Sequence, residues 1–521
     1  MCFLVEKPKL GRKQLNKPRF WKLLDSVLLS HDVHTTFRQA CMSKIKKLAG
    51  QTVLYGMGSI LPRMLNFLLL PIHTIGMFSS QEYGVITQLM AVVAVVNIVF
   101  MFGMETTFFR FSNKDGVDRK KIFNIAQTVV LLISVPLSIL FIVFASPIAN
   151  SLQVGDHPDF IIYLTLVMLV DSIVAIPFAQ LRLQNQALKF AGLKIVNVLI
   201  IIGLNLYFLK VAYDPAINVG YVFIANLAAN AFYLVFFIKE IFSWRPTLDK
   251  ELAPTMFRYS FPIMITGIAG MYNEMFSRLF LGYWLPEGFY KNMSREAAVG
   301  VFGACYKLAV FMNLGIQAFR YAAEPFFFSN AKDKSSPALF AQINHYFVIT
   351  CCAVLLGISI NLDIIQLLMG KDYRVGIHIV PVLLLAYLFL GVYYNFSVWF
   401  KLTDKTKYGT IITIIGAIIT VAANYLLIPL FGFMGSSWAA VLCYFFMTVM
   451  CYVIGQKFYP VPYAIGKGIA YIVATMIVVE IVNSITISNL WFAISFHAGV
   501  MMLFVTAVYF LERRYFRQPV V

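Results

Sequence analysis

Fourteen runs of about 20 or more mainly apolar residues divide this 521-residue chain, and nothing else in it constrains the fold as strongly. Their approximate limits are 51–76, 85–108, 123–147, 160–181, 190–212, 218–240, 259–284, 298–322, 340–363, 377–400, 408–430, 433–456, 463–484 and 490–511. Each is long enough to cross ~30 Å of hydrocarbon as a helix, and none shows the period-2 alternation of a barrel strand. Apolar residues make up 60% of the chain and charged residues only 13%, so the apolar surface exceeds what one core could hide from water. The predicted class is an all-α polytopic membrane protein of about fourteen transmembrane helices, with no room left for an extramembrane domain.

The chain carries 42 Lys and Arg against 24 Asp and Glu, a net charge of +18. Taken alone, that excess suits nucleic acid, an anionic membrane surface or an anionic substrate. Position decides among them. Most of the cations fall on alternate loops, while the opposite loops hold only Lys210, Lys291, Arg295, Lys371 and Arg374. Cytoplasmic loops retain Lys and Arg, so both termini are expected in the cytoplasm, and no nucleic-acid partner is needed to explain the charge.

The basic N-terminal stretch shows no signal-peptide h-region or cleavage site. Phe20, Trp21, Leu24 and Leu28 form at most a weak apolar face, and Met42 is a natural start for a membrane protein. Residues 1–41 thus read either as an unstructured tail or as a dispensable extension. The seven cysteines show no CxxC and no His-paired spacing, so neither a disulfide framework nor a metal site is expected.

A repeat organises the spans. Arg63-Met-Leu-Asn-Phe-Leu-Leu-Leu-Pro71 in the first matches Arg278-Leu-Phe-Leu-Gly-Tyr-Trp-Leu-Pro286 in the seventh, 215 residues on. One span later, Phe109-Arg-Phe-Ser-Asn113 matches Phe326-Phe-Phe-Ser-Asn330 at an offset of 217. A near-constant offset marks duplication, and a six-span unit keeps its orientation, as in transporters built from parallel repeats. The expected organisation is a basic tail (1–47), an N-lobe of helices 1–6 (48–242), a cytoplasmic linker (243–258), a pseudo-symmetric C-lobe of helices 7–12 (259–456), and two C-terminal helices (457–521).

Charges at membrane depth are costly and tend to face protein or a wet cavity. Arg63, Arg278 and Lys307 lie mid-span, with Lys194 and Arg320 nearer span ends; the acids are Glu105, Asp171, Glu274 and Glu480. Glu274 with Arg278, and Arg320 with Glu324, stand at i,i+4 and can pair locally. Lys194 and Lys210 sit where long stems snorkel. Arg63 and Lys307 have no acid within a turn, which makes them the better partners for an anion, plausibly a phosphate or diphosphate. Asn66, Tyr272, Asn273, Gln317, Tyr393, Tyr394 and Asn395 are candidate sugar contacts or helix–helix hydrogen bonds. Glu105 and Asp171 are candidates for a coupling proton or cation or for interhelical pairing, and Glu274 joins them as a gating acid.

With these residues in hand, the sequence resembles the polysaccharide-transporter branch of the multidrug/oligosaccharidyl-lipid/polysaccharide exporter superfamily, over about residues 44–460. The resemblance rests on Gly58-Ser-Ile-Leu-Pro-Arg63, Leu70-Pro-Ile-His-Thr, Glu82-Tyr-Gly84 and Gly103-Met-Glu-Thr-Thr-Phe-Phe-Arg110-Phe. It continues in Tyr272-Asn-Glu-Met-Phe-Ser-Arg278, Gly300-Val-Phe-Gly-Ala-Cys-Tyr-Lys307 and Gln317-Ala-Phe-Arg-Tyr-Ala-Ala-Glu-Pro-Phe-Phe-Phe328. It implies two six-helix lobes that open alternately, and a bacterial inner-membrane flippase for undecaprenyl-diphosphate-linked O-antigen or capsule repeat units. It also implies cavity cations on the headgroup, a role that the resemblance assigns here to Arg63, Arg278, Lys307 and Arg320.

Four functions compete. The leading one is flipping of a lipid-linked oligosaccharide, with no catalytic residue and no cofactor beyond a proton or monovalent-cation gradient, and with the polysaccharide polymerase machinery as a partner. Lipid II flipping is second. Cation-coupled drug export ranks lower because a cationic lumen is a poor host for cationic drugs. A membrane polymerase or ligase would need acid/base groups on a large outer loop, and the longest outer loops, near 284–298 and 363–377, hold no such constellation.

Overall fold

The computed structural model describes residues 58–516, apart from 59, 114–115, 185, 331–335, 404, 486 and 488. The tail and the start of the first span lie outside them. Every regular element among the described residues is helical, one of the two ways, with the closed barrel, to satisfy the backbone where lipid offers it no hydrogen-bond partner. Among the described residues eleven helices are long and apolar enough to cross a membrane, and the chain is a multi-pass membrane protein.

The first span is helical at 60–66, breaks at Phe67 and Leu68, and resumes as α1 (Leu69–Thr74). The second begins at a capping box, where the Ser79 hydroxyl accepts the Glu82 N–H and the Glu82 carboxylate accepts the Ser79 N–H. This span is expected to be continuous over 85–108. Instead it divides into α2 (Ser80–Met101) and α3 (Met104–Ser112), because Phe102 (φ 49°) and Gly103 (φ 65°) are both left-handed. Gly103 tolerates that conformation without strain; Phe102 is held in it by stacking on Phe257 at 4.5 Å.

The rest of the first half is α4 (Arg119–Val143), α5 (Ala145–Ser151), α6 (Pro158–Leu183), α7 (Ala187–Lys210), α8 (Gly220–Phe236) and α9 (Ile238–Ser243). The second half opens with α10 (Leu252–Trp284), α11 (Arg295–Asn330) and α12 (Ser336–Ser359). After α13 (Leu362–Ile365) and two short 3₁₀ segments come α14 (Val380–Phe396), α15 (Val398–Leu402), α16 (Lys407–Phe431) and α17 (Phe433–Phe458). The chain then runs through α18 (Ile465–Asn483) and α19 (Leu490–Phe516). Helix α10 starts earlier than the apolar run at 259 suggests, since Asp249 takes the N–H groups of Glu251 and Leu252 and helps begin it.

Burial separates scaffold from periphery. Helices α11 and α14 are the most enclosed, whereas α19 turns nearly all its side chains outward. Its exposed Trp491, Phe492, Met502 and Leu503 are at home only in lipid. The two halves meet where α2 packs on α10 and α11. At Gly84 and Gly300 the backbones themselves touch: a Cβ on Gly84 would run into the Glu296 carbonyl, and one on Gly300 into the Ser80 carbonyl. The segment between α9 and α10 lies along α4. Trp244 Nε1 and Thr247 N donate to Thr128 Oγ1 at 3.2 and 3.1 Å, Arg245 N donates to Asn124 Oδ1 at 3.3 Å, and Lys121 pairs with Asp249 at 2.7 Å.

Candidate functional site

Helices α10 and α11 carry three of the four predicted cations, Arg278, Lys307 and Arg320. On α10, Glu274 and Arg278 share a face one turn apart. On α11, Tyr306, Asn313, Gln317 and Arg320 recur at spacings of seven, four and three, one stripe of a helix. The local i,i+4 pair that the spacing allows does not form: Glu274 and Arg278 make no ion pair. The Arg278 guanidinium lies over the Tyr306 ring at 3.8 Å, and its Nε is buried without a hydrogen-bond partner. Glu274 instead accepts from Asn313 Nδ2 at 3.3 Å while remaining within electrostatic reach of both Arg278 and Arg63. Tyr306 in turn accepts a hydrogen bond from the Tyr387 hydroxyl of α14.

From Asn313 a polar track follows α11. Gln317 Nε2 donates to Asn313 Oδ1 at 3.4 Å, and Arg320 stacks on Tyr394 of α14 at 4.8 Å. Arg320 also forms the local pair that its spacing allows, with Glu324 at 3.7 Å; Glu324 is shared with Lys401 at 2.5 Å. Lys307 points elsewhere, toward the first half, with its ammonium 5.4 Å from the Tyr83 ring and near the buried His73. His73 itself hydrogen-bonds Asn205 at 2.8 Å.

Arg63 and Asn66 are exposed on one face of the 60–66 turn, and Arg63 interacts with Glu274 across the halves. An exposed guanidinium at this depth requires water or an anion beside it. Arg63, Arg278 and Lys307 have no ion pair among the described residues. Thirteen residues of α11 separate Lys307 from Arg320, a rise of ~20 Å, so the four predicted cations do not form one cluster.

The remaining predicted residues disperse. Glu105 of α3 pairs with Arg182 of α6. Asp171 of α6 accepts from Asn230 at 3.0 Å and Asn97 at 3.5 Å, and Asn197 donates to Asn230 at 3.0 Å, building a carboxylate–amide cluster inside the first half. Lys194 does not snorkel: its ammonium lies over Phe178 and Tyr233, at 4.3 and 4.9 Å, and interacts with Asp171. Asn273 donates to the Thr413 carbonyl and accepts from Thr420, which commits it to the seam with α16. Asn395 donates to Asn344 at 3.2 Å and joins α14 to α12. Tyr272 stacks on Phe276, and Tyr393 is buried beside Tyr394. Tyr306, Asn313 and Tyr387 were not among the predicted residues; the stripe spacing on α11 is the signal that would have found the first two.

A family model described as "Polysaccharide biosynthesis protein" matches residues 77–378. No curated protein matches the chain by sequence. Among solved structures, "Lipid II flippase MurJ, inward closed conformation" aligns with a TM-score of 0.70 at 14% identity, covering 89% of this chain and all of that one. "Inward-facing conformation of a multidrug resistance MATE family transporter of the MOP superfamily" aligns with a TM-score of 0.56 at 12% identity, covering 82% of this chain and 95% of that one. At these identities the likeness establishes the fold.

Proposed function

This chain belongs to the polysaccharide biosynthesis protein family, and from that premise we propose that it flips an undecaprenyl-diphosphate-linked oligosaccharide from the cytoplasmic to the outer leaflet by alternating access. The observation that carries this reading is that Arg63 and Arg278 both reach Glu274 between the halves, with Lys307 on the same helix as Tyr306 facing the first half, and none of the three has an ion pair among the described residues. Cations at membrane depth left without acids favour an anion, and a diphosphate matches both the Arg fork and the Lys point charge.

In this reading Arg63, Arg278 and Lys307 hold the headgroup. Arg320, ~20 Å along α11, serves the path toward the site rather than the diphosphate itself. Gln317, Tyr394 and Asn66 face the glycan, and the prenyl tail stays in lipid. Glu274 competes with the diphosphate for Arg63 and Arg278, which suits it to release or take up a proton or monovalent cation as the headgroup leaves or arrives. Asp171, within its amide cluster, is a second coupling candidate, whereas Glu105 is occupied by Arg182. Binding drives the rocking only through its difference between the two states. The bacterial inner membrane, cytoplasmic termini and a polysaccharide polymerase as partner complete the proposal, with O-antigen or capsule units as substrate.

Reconstituted vesicles carrying labelled lipid-linked oligosaccharide test it. Arg63→Ala and Lys307→Ala should each slow flipping severely, and wild-type rates in both would sink the assigned site. Lipid II in a parallel arm distinguishes the competing substrate, since faster flipping of lipid II would replace the oligosaccharide.

A further inference from the structure

Two cavities meet at the cation-rich end of the first half, away from the path between the halves. One, of about 510 Å³, opens among the start of α4, the end of α6 and α9. Arg119, Lys120 and Lys239 border it against one acid, Glu240, over a floor that includes Phe108, Phe123 and Leu183. The other, of about 140 Å³, shares Phe123 and Glu240 with the first. It continues along α4 and α6 between Leu131, Ile173, Pro177, Ile241 and Trp244, with an almost wholly apolar wall. None of Arg63, Arg278, Lys307 and Arg320 lines either cavity.

Membrane topology accounts for cations at this end of the helices, but not for this convergence. Lys121, next in sequence, turns away to Asp249, whereas Arg119, Lys120 and Lys239 form no ion pair among the described residues. The three cations stand over the mouth of an apolar groove. From Lys120 to Leu131 the rise along α4 is ~16 Å, which carries the groove from the membrane surface into hydrocarbon. Beside the mouth, Ile238 and Phe242 of α9 are exposed, so an amphiphile can enter sideways from the bilayer.

We infer that the joined cavities hold one anionic phospholipid, its phosphate among Arg119, Lys120 and Lys239 and an acyl chain against Leu131, Ile173 and Pro177. A basic pocket between helices at the membrane surface attracts anionic headgroups, and the adjoining groove adds apolar burial that a free phosphate cannot gain. A zwitterionic lipid brings its own cation and gains less from the three. Trp244 closes the groove while donating to Thr128 Oγ1, so the bound lipid supports the segment that joins the two halves.

Native mass spectrometry of the full chain, counting lipids retained after exchange into mixed micelles, tests the site independently of flipping. Wild type should retain phosphatidylglycerol over phosphatidylcholine. Lys120→Glu combined with Lys239→Glu should cut that retention by roughly tenfold or more, at about 1 kcal/mol per basic residue near a membrane surface. Leu131→Trp, which fills the groove and leaves the charge alone, should cut it too, with thermal unfolding unchanged in both variants. Millimolar inorganic phosphate should displace nothing. Equal retention by wild type and both variants overturns the proposal. So does displacement by phosphate alone, which marks a free-anion site, or preference for undecaprenyl phosphate over phosphatidylglycerol, which marks a substrate-lipid site.

Discussion

The guanidinium of Arg278 lies 3.8 Å from the centre of the Tyr306 ring, and Glu274, one turn earlier on the same helix face, does not close an ion pair with it. A ring face stabilises a cation without neutralising it. The positive charge of Arg278 therefore stays available to a ligand, while Asn313 holds the carboxylate it would otherwise have paired with.

Arg278→Ala removes both charge and fork, and is expected to slow flipping by roughly 10- to 100-fold, the size of a lost charge-assisted hydrogen bond. Arg278→Lys keeps the charge and should fall between Ala and wild type. Tyr306→Phe preserves the ring and should stay close to wild type, whereas Tyr306→Leu should not. Rates in reconstituted vesicles check all four.

Glu274→Gln removes the competitor for Arg63 and Arg278. Binding of a soluble diphosphate, measured by calorimetry, should tighten by up to about tenfold, while net flipping slows because release is no longer assisted. Unchanged affinity would show that Glu274 does not compete for the anion.

The glycine contact between α2 and α11 makes its own prediction. Gly300→Val places side-chain atoms against the Ser80 carbonyl and should cost ~1–3 kcal/mol of the packed state, read as a lower unfolding temperature. A cysteine at Ser80 should then react faster with a membrane-impermeant maleimide. Gly466→Val, with nothing within 4 Å of its Cβ position, should leave both readings near wild type.

Asp249 fastens the segment between α9 and α10. Lys121, then the N–H groups of Leu252 and Glu251, hold its carboxyl down at about 2, against 3.8 ordinarily. A folded pKa below the unfolded value means the contact is fully present above pH 3.8 and is lost as pH falls toward 2. Limited proteolysis around residues 243–251 should thus be the same at pH 5 and pH 7 with an enzyme active at both. Asp249→Asn should increase cleavage at either pH.

Hydropathy made the helices legible because lipid permits few alternatives, and span positions read from apolar runs recur as helices from the second run onward. Breaks inside spans were harder to read. The kink at Phe102 and Gly103 leaves no mark in an apolar count; it depends on Phe257 from another helix. The candidate site was legible residue by residue but not as a constellation. Sequence spacing linked Glu274 to Arg278, yet Tyr306 from α11 and Asn313 from the same helix took the two partners apart. For Glu105 the sequence leaves coupling and interhelical pairing open, and its partner, Arg182 on a different span, emerges only from the fold. For Asn273 and Asn395 the residue type allows a sugar contact or a helix–helix hydrogen bond, and the bonds to α16 and α12 are the latter.

The sequence by itself determined that the chain is a multi-span helical membrane protein and which few charges lie at membrane depth, because both follow from the transfer cost of each residue along the chain. Only the tertiary structure decided which of those charges are spent on one another. That depends on distances between helices, and a buried cation becomes a binding group only when no neighbouring helix brings it an acid. Arg182 and Arg320 meet acids; Arg63, Arg278 and Lys307 meet none in ion-pair contact among the described residues.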